Sequence, residues 1–335
     1  MPLVSGRSTG FRLRARLAIR GRLGSPKIGL FELGSHRVVH VPNCRVHHPL
    51  INEVAGVVRR ALVDARVSSY SDAAHLGLAR YLQVVVERGS QSAQVVLVAN
   101  CATPEPLATC FELIRERLGA ELHSLWFNAH CGRSNVVLGP EFSRWCGPPS
   151  VIERFGGAGI HYPPGAFGQS NLEVAELIID AIRTRIPAGS RVAEFYAGTG
   201  AIGLSVLNRV AGISLNEASR PAIEGLELGL AGLDPADRSK VTVVAGPAAA
   251  AGAAACDAEL VIVDPPRKGL DAELLAHLGT ALPKRVLYVS CGLESLRRDA
   301  AALTAGGTLR LVDLTAFNMF PFSEHVETLA CFEAA

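Results

Sequence analysis

Along residues 11–22, FRLRARLAIRGR, polar and apolar positions alternate. Arg12, Arg14, Arg16, Arg20 and Arg22 occupy even positions, and Leu13, Ala15, Leu17 and Ile19 odd ones. Period two predicts a strand with one basic and one apolar face. The basic face fits either a solvated surface or a strip that contacts phosphates, and the pattern alone does not choose between them. Further on, Leu50–Val67 has helical spacing. Tyr81–Glu87 and Gln94–Asn100 read as neighbouring strands joined through Gly89, and Pro106–Leu118 as a helix. Leu125–Asn128 and Asn135–Leu138 read as further strands. Residues 1–160 are thus expected to form an α+β module built of antiparallel hairpins, followed by a Pro/Gly-rich linker, HYPPGAFGQSN. From Leu172 the pattern becomes strand, helix, strand, helix, which predicts a second domain, 161–335, with a parallel sheet wrapped by helices.

Composition narrows the class. The 335 residues are 49% hydrophobic and 19% charged, which suits a folded chain and excludes a disordered one. A net charge of +2 gives no general attraction to polyanions, so any nucleic-acid surface has to be local. Eight cysteines are scattered without a C-x-x-C pair, and no secretory signal precedes them. That usage is expected of reduced thiols in a cytoplasm. No apolar run reaches the ~18 residues of a membrane span. The alanine-rich stretch Ala248–Ala255 reads as a loop or a helical turn. There is no internal repeat, and the lack of a coiled-coil pattern makes a monomer the expectation.

Several positions carry candidate chemistry. His36, His40, Cys44, His47 and His48 are residue types that bind zinc, but no second ligand pair follows at finger-like spacing, so no metal is expected. RVAEFYAGTGAIG, residues 191–203, takes a short strand through Glu194 into a turn with Gly198, Gly200 and Gly203. Strand, glycine turn and helix in that order predict a nucleotide-type cofactor site. Glu217, at the next strand end, is placed either to accept bonds from ribose hydroxyls or to sit as a charge at a helix start. In ELVIVDPPRKGL, residues 259–270, an apolar strand delivers Asp264 to its carboxyl end ahead of two stiffening prolines. Ligands bind outside the carboxyl ends of strands in such sheets, although a turn-capping Asp fits too. YVSCGLESLRRD, residues 288–299, ends a strand in Cys291.

Five segments carry a resemblance in this order: FGQSN (167–171), EFYAGTG (194–200), DPPRKGL (264–270), YVSCG (288–292) and EHVET (324–328). Together they resemble the RNA uracil-5 methyltransferases, which use S-adenosylmethionine on a class I methyltransferase fold. That fold is Rossmann-like, with a mostly parallel seven-stranded sheet. The likeness covers most of the chain and is clearest from Phe167 to Thr328, while FRLRARL and SHRVVHVPNC resemble the family's central RNA-binding region. It implies that Cys291 is the nucleophile and Glu327 the proton acceptor. It further implies cofactor contacts at Gln169, Tyr196, Gly198, Gly200, Ala201, Glu217 and Asp264. Substrate contacts are expected at Phe167, Arg267 and the strip of Arg12, Arg14 and Arg16.

The implied partner is RNA, either tRNA or rRNA, entering as an unpaired or flipped-out uridine because its reacting carbons are otherwise stacked. A thiolate added at carbon 6 turns carbon 5 into a nucleophile, which splits one hard step into easier ones. The chain departs from the family pattern at Gly292-Leu293, where Asn-Pro is usual, and at Pro247, where an acid is usual. It also has Glu194 and Ala197 in place of Asp and Cys. No cysteine precedes Cys44, so the four-cysteine iron–sulfur cluster of some relatives is not expected. Two other readings survive: a methyltransferase of this fold with another substrate, and an RNA-binding homologue without turnover.

Overall fold

The computed structural model describes residues 1–134, 136–252, 257–281 and 283–335 and divides into two compact units. One unit comprises residues 9–153 with 163–165, and the other residues 1–8, 154–162 and 166–335. The first strand, β1 (Leu3–Ser5), pairs in parallel with Ala316–Asn318, and Arg7 Nε donates to Glu173 at 2.8 Å. The first eight residues therefore join the C-terminal sheet and not the N-terminal module in which the 1–160 boundary placed them. Three residues that gain a backbone ladder leave no signal in the local pattern.

The 9–153 unit is built on a seven-stranded sheet. Its strands are β2 (Arg14–Arg22), β3 (Ser25–Phe31), β4 (Val38–His40), β5 (Ala79–Glu87), β6 (Ser92–Ala99), β7 (Leu122–Ala129) and β8 (Glu141–Cys146). The order is β4-β3-β2-β5-β6-β7-β8. Two helices, α1 (Pro49–Asp64) and α2 (Ala108–Leu118), pack on it. Every neighbouring pair is antiparallel except β6 and β7, which are parallel and joined through α2. The module is thus not hairpins alone. Parallel strands need a crossover, and the 22 residues between them supply one as a helix. The expected strand at 135–138 is also corrected. Asn135 lies outside the described residues, Val136–Leu138 are loop, and the edge strand is Glu141–Cys146. Asn128 holds that loop through bonds to Gly139 N, Gly139 O and Glu141 O at 2.7–2.9 Å.

The basic face of β2 is corrected in part. Arg20 is neither solvated nor available to phosphate, since it is 8% exposed. Its guanidinium makes a two-pronged pair with Asp72 at 2.7 and 3.0 Å and lies over the rings of Phe31, Tyr70 and Tyr81. Arg→Ala at position 20 strands Asp72 and empties that aromatic cage, at an expected cost of about 2–3 kcal/mol in denaturant unfolding. The same change at exposed Arg22 should cost under about 0.5 kcal/mol. Equal effects at the two sites would refute the structural role of Arg20.

The histidines that suggested metal have local duties. His48 Nδ1 caps α1 at Leu50 N, and His40 Nδ1 meets the backbone of Ile28. Among the described residues no group of three or more His, Cys, Asp or Glu side chains gathers to hold an ion, and the described cysteines are all free thiols. Cys256 and Ala253–Ala255 of the alanine-rich stretch lie outside the described residues. No helix of the described residues is long and apolar enough to cross a membrane.

The other unit takes in most of a two-stranded ribbon, β9 (Val151–Phe155) with β10 (Ala158–Tyr162). There the strands are β11 (Ser190–Phe195), β12 (Val210–Glu217), β13 (Val241–Ala245), β14 (Leu260–Val263), β15 (Arg285–Ser290), β16 (Leu309–Asn318) and β17 (Glu327–Ala334). The helices are α3 (Leu172–Arg185), α4 (Arg220–Ala231), the short α5 (Pro235–Ser239), α6 (Ala272–Ala281) and α7 (Leu293–Thr304). The sheet order is β1-β16-β17-β15-β14-β11-β12-β13, parallel except for β17. It has eight strands where seven were expected, and β1 is the addition. β14 (LVIV) and β15 (RVLYVS) are apolar without alternation because both faces are covered. The chain runs from β11 to β12 on one side and later to β14 on the other. That reversal opens a crevice at the carboxyl ends of β11 and β14, the place where such sheets bind ligands.

Candidate active site

β15 and β17 run antiparallel with Val289 opposite Leu329 and Ser290 opposite Thr328. Cys291 directly follows Ser290 and Glu327 directly precedes Thr328, so this register brings both residues to the same end of the strand pair. Thr328 Oγ1 reinforces this strand end by donating to Ser290 O at 3.3 Å. Cys291 also directly precedes the turn into α7, whose positive end favours an anion nearby.

The departure at Gly292-Leu293 leaves this geometry in place. Gly292 takes an ordinary extended conformation, its N–H is held by Ser290 Oγ at 3.1 Å, and its carbonyl accepts from Ser295 Oγ at 2.9 Å. A Cβ at 292 would stand 2.9 Å from Ser295 Oγ and 3.3 Å from the Arg267 carbonyl, so glycine lets the DPPRKGL loop lie against the cysteine turn.

The electrostatics are those of a crowded acidic pocket. Glu327 is only 4% exposed, and burial together with the charge of Asp264 raises its carboxyl to about 8, against the pull of Arg267. Burial raises Asp264 to about 7. Burial likewise pushes the half-buried Cys291 thiol up, Glu327 and Asp264 push it further, and Arg267 opposes them. The side chains of Cys291, Glu327, Asp264 and Arg267 therefore act on one another across the ends of β14, β15 and β17.

The neighbouring glycine turn follows β11. Gly198 (φ +58°) and Gly200 (φ +83°) use the left-handed backbone that glycine tolerates, and Tyr196 (φ +61°) adopts it at a cost. Glu217 Oε2 accepts the Gly198 N–H at 2.8 Å, while Oε1 accepts those of Ala218 and Ser219 at 2.8 and 2.6 Å. The carboxylate thus holds the chain just ahead of α4 and braces the glycine turn. The space beyond a Cβ at Gly198 is open, whereas one at Gly200 would stand 2.7 Å from Leu226 Cδ1. Glu194 is 1% exposed and packed so closely that a Cβ at Gly203 would stand 2.4 Å from its Oε2. Burial and the charge of Asp264 raise its carboxyl well above the usual range. Near Pro247, Gly246 N donates to Glu217 O, and Asn216 Nδ2 donates to Gly246 O.

The other expected residues lie in varied surroundings. Tyr196 is half-buried and donates its hydroxyl to Asp271 at 3.2 Å, so that bond orients it. Ala201 and Gln169 are half-buried, Arg267 is exposed, and Phe167 stands 67% exposed. The supposed linker is anchored, because Asn171 caps α3 at Val174 N and donates to Met319 O at 3.2 Å. Arg12, Arg14 and Arg16 lie on or beside β2 of the other unit, where Arg16 Nε donates to Gln83 Oε1 at 2.8 Å. Sequence reasoning missed Asn171, Asp271 and above all Asp299. Asp299 falls at helical spacing between Leu296 and Leu303 on a buried face, the one signal that would have found it.

The family model for tRNA (uracil-5-)-methyltransferase matches residues 253–334, the segment holding Asp264, Cys291 and Glu327. An uncharacterized RNA methyltransferase of Protochlamydia amoebophila is 34% identical across 99% of this chain and 88% of its own length. Another from Geobacter sulfurreducens is 28% identical across 98% of this chain and 66% of its own. In fold, the chain is similar to the tRNA (uracil-54, C5)-methyltransferase of Pyrococcus abyssi, crystallised with S-adenosyl-L-homocysteine. The TM-score is 0.81 at 22% identity, over 99% of this chain and 78% of that one. The chain belongs to the RNA uracil-5 methyltransferase family, S-adenosylmethionine-dependent enzymes of the class I fold.

Proposed function

We propose that this enzyme methylates carbon 5 of a uridine in tRNA or rRNA through a covalent adduct between Cys291 and carbon 6 of the base. The convergence of Cys291 and Glu327 at one end of the β15–β17 pair, where the Glu327 charge acts on the Cys291 thiol, carries this reading. Bound S-adenosylmethionine supplies an electrophilic methyl group on its sulfonium. The residues suit such a ligand: a glycine turn with open space at Gly198, the Glu217 carboxylate bracing it, and Asp264 at the adjoining strand end. Gln169, Tyr196, Gly200 and Ala201 complete the proposed cradle.

The Cys291 thiolate adds to carbon 6 and makes carbon 5 nucleophilic. Once carbon 5 carries the methyl, its hydrogen passes to Glu327, and the thiolate leaves as the ring regains its double bond. Phe167 stacks on the extruded base, Arg267 favours the anionic sulfur, and Arg12, Arg14 and Arg16 contact backbone phosphates.

The test is to map 5-methyluridine in total RNA from cells with and without this gene, then to assay the purified protein on the RNA that differs. An unchanged map refutes the reading. A second check concerns the cradle. Gly198→Ala puts a methyl group into open space on a left-handed residue and should cost about 1–2 kcal/mol of stability. It should weaken S-adenosylmethionine binding at least tenfold in calorimetry. Unchanged affinity would remove Gly198 from the cofactor site.

A further inference from the structure

Asp299 is 0% exposed on the inner face of α7, and its carboxylate gathers three separate pieces of chain. Oδ2 accepts the Leu270 N–H and the Tyr288 hydroxyl, both at 2.8 Å. Oδ1 accepts from Arg298 Nε at 2.9 Å and forms an ion pair with Nη2 at 2.7 Å. Arg298 Nη2 in turn donates to Lys268 O at 2.7 Å. Between these bonds sits Gly269 (φ +85°), where a Cβ would stand 2.4 Å from Asp299 Oδ2 and 2.5 Å from Arg298 Nη2. The glycine of DPPRKGL thus leaves room for the carboxylate. Tyr288 lies three residues before Cys291 on β15, and the Arg267 carbonyl lies against Gly292, the residue after it. A buried carboxylate with three hydrogen-bond donors and an ion pair is held in one place, and so is everything bonded to it.

We propose that Asp299 is a positioning residue that clamps the 264–270 loop onto α7 and β15 and so holds the Arg267 guanidinium beside Cys291 and Glu327. The proposal rests on the reading of Cys291 as the nucleophile. The charged groups acting on that thiol are Glu327 from β17 and Asp264 and Arg267 from the loop, with the amino end of α7 behind it. Arg267 is the side chain among them that favours the thiolate. If the loop drifts, that support is lost and the thiol deprotonates at higher pH.

The experiment follows alkylation of Cys291 by iodoacetamide against pH in the full-length protein, resolved by peptide mass spectrometry. Asp299→Asn keeps the shape but loses acceptor capacity. It should move the alkylation midpoint up by about half a pH unit or more. It should also lower kcat at neutral pH by roughly tenfold, with recovery at alkaline pH. Arg267→Ala should give a similar shift, and the double variant no more than Arg267→Ala alone, since both changes act through one group. Arg298→Ala at an exposed helix position removes part of the clamp without threatening the fold and should shift the midpoint in the same direction. A wild-type midpoint in both Asp299→Asn and Arg298→Ala overturns the proposal, as does full additivity in the double variant. The alkylation readout needs no RNA, so it stands apart from the methylation chemistry. If Cys291→Ser were fully active, the proposed reaction would fall while the clamp could still be measured.

Discussion

Cys291→Ala should reduce methyl transfer to RNA by roughly a thousandfold or more while leaving cofactor affinity within about twofold. The asymmetry follows from the site. Cys291 follows β15 next to a helix start, and the bond that Glu217 makes to the glycine turn does not involve its sulfur. Removing the thiol also relieves a half-buried group surrounded by carboxylates, so the variant should be no less stable than wild type. Calorimetry with S-adenosylhomocysteine and single-turnover methyl transfer read the two quantities separately. A Cys291→Ala enzyme retaining a tenth of the wild-type rate would end the covalent reading and leave a methyltransferase of this fold acting in another way.

Glu327→Gln should have the second-largest effect, with a different signature. The amide keeps the shape and cannot take the proton from carbon 5, so resolution of the methylated adduct should slow by roughly 10²–10⁴. Protein crosslinked to RNA should then accumulate on denaturing gels, whereas Cys291→Ala gives none. The wild-type step should also depend on pH. With the carboxyl at about 8, the ionised base is a minority at pH 7 and grows through pH 9, so adduct resolution should accelerate over that window. Stability runs the other way. A carboxyl raised in the folded state contributes stability that is fully present below the unfolded value near 4.3 and is lost as pH rises through about 8. Glu327→Gln should therefore melt several degrees above wild type at pH 8.5 and level with it at pH 4. A variant that turns over normally, or melts lower at pH 8.5, contradicts the assignment of Glu327 as a buried base.

The acidic pocket also bears on the departures from the family pattern. Glu194 is longer than the usual Asp, and Gly203 gives it room, with Leu215 closing the other side of the same gap. A buried carboxyl whose pKa is raised costs little to keep while it stays protonated. Gly292 in place of Asn likewise builds its turn from Ser290 and Ser295 hydroxyls. Neither change removes a strand end or a glycine that the site uses.

Legibility was uneven for identifiable reasons. The β11 turn and β14–Asp264 were readable because strand, glycine turn and helix follow one another within a few residues. β1 was not, since three residues gain their meaning only from Ala316–Asn318, far away in sequence. The alternation at 11–22 correctly signalled a strand but not the fate of Arg20, which Asp72 and three aromatic rings draw inward. The edge strand at Glu141–Cys146 escaped because most of it is partly exposed and lacks a clean alternation.

By itself the sequence determined the class of most segments, the glycine turn after a strand and the candidate reactive groups, because these depend on periodicity and on chemistry carried by single residues. Only the tertiary structure decided that Cys291 and Glu327 meet at one end of a strand pair, that Asp299 bonds to the loop at Leu270, and that Asp264 and Glu327 share one poorly hydrated place. Pairing register and burial are relations between distant stretches of chain. The shift of a carboxyl from an ordinary acid to a base near neutral pH is a property of that shared environment and of no residue alone.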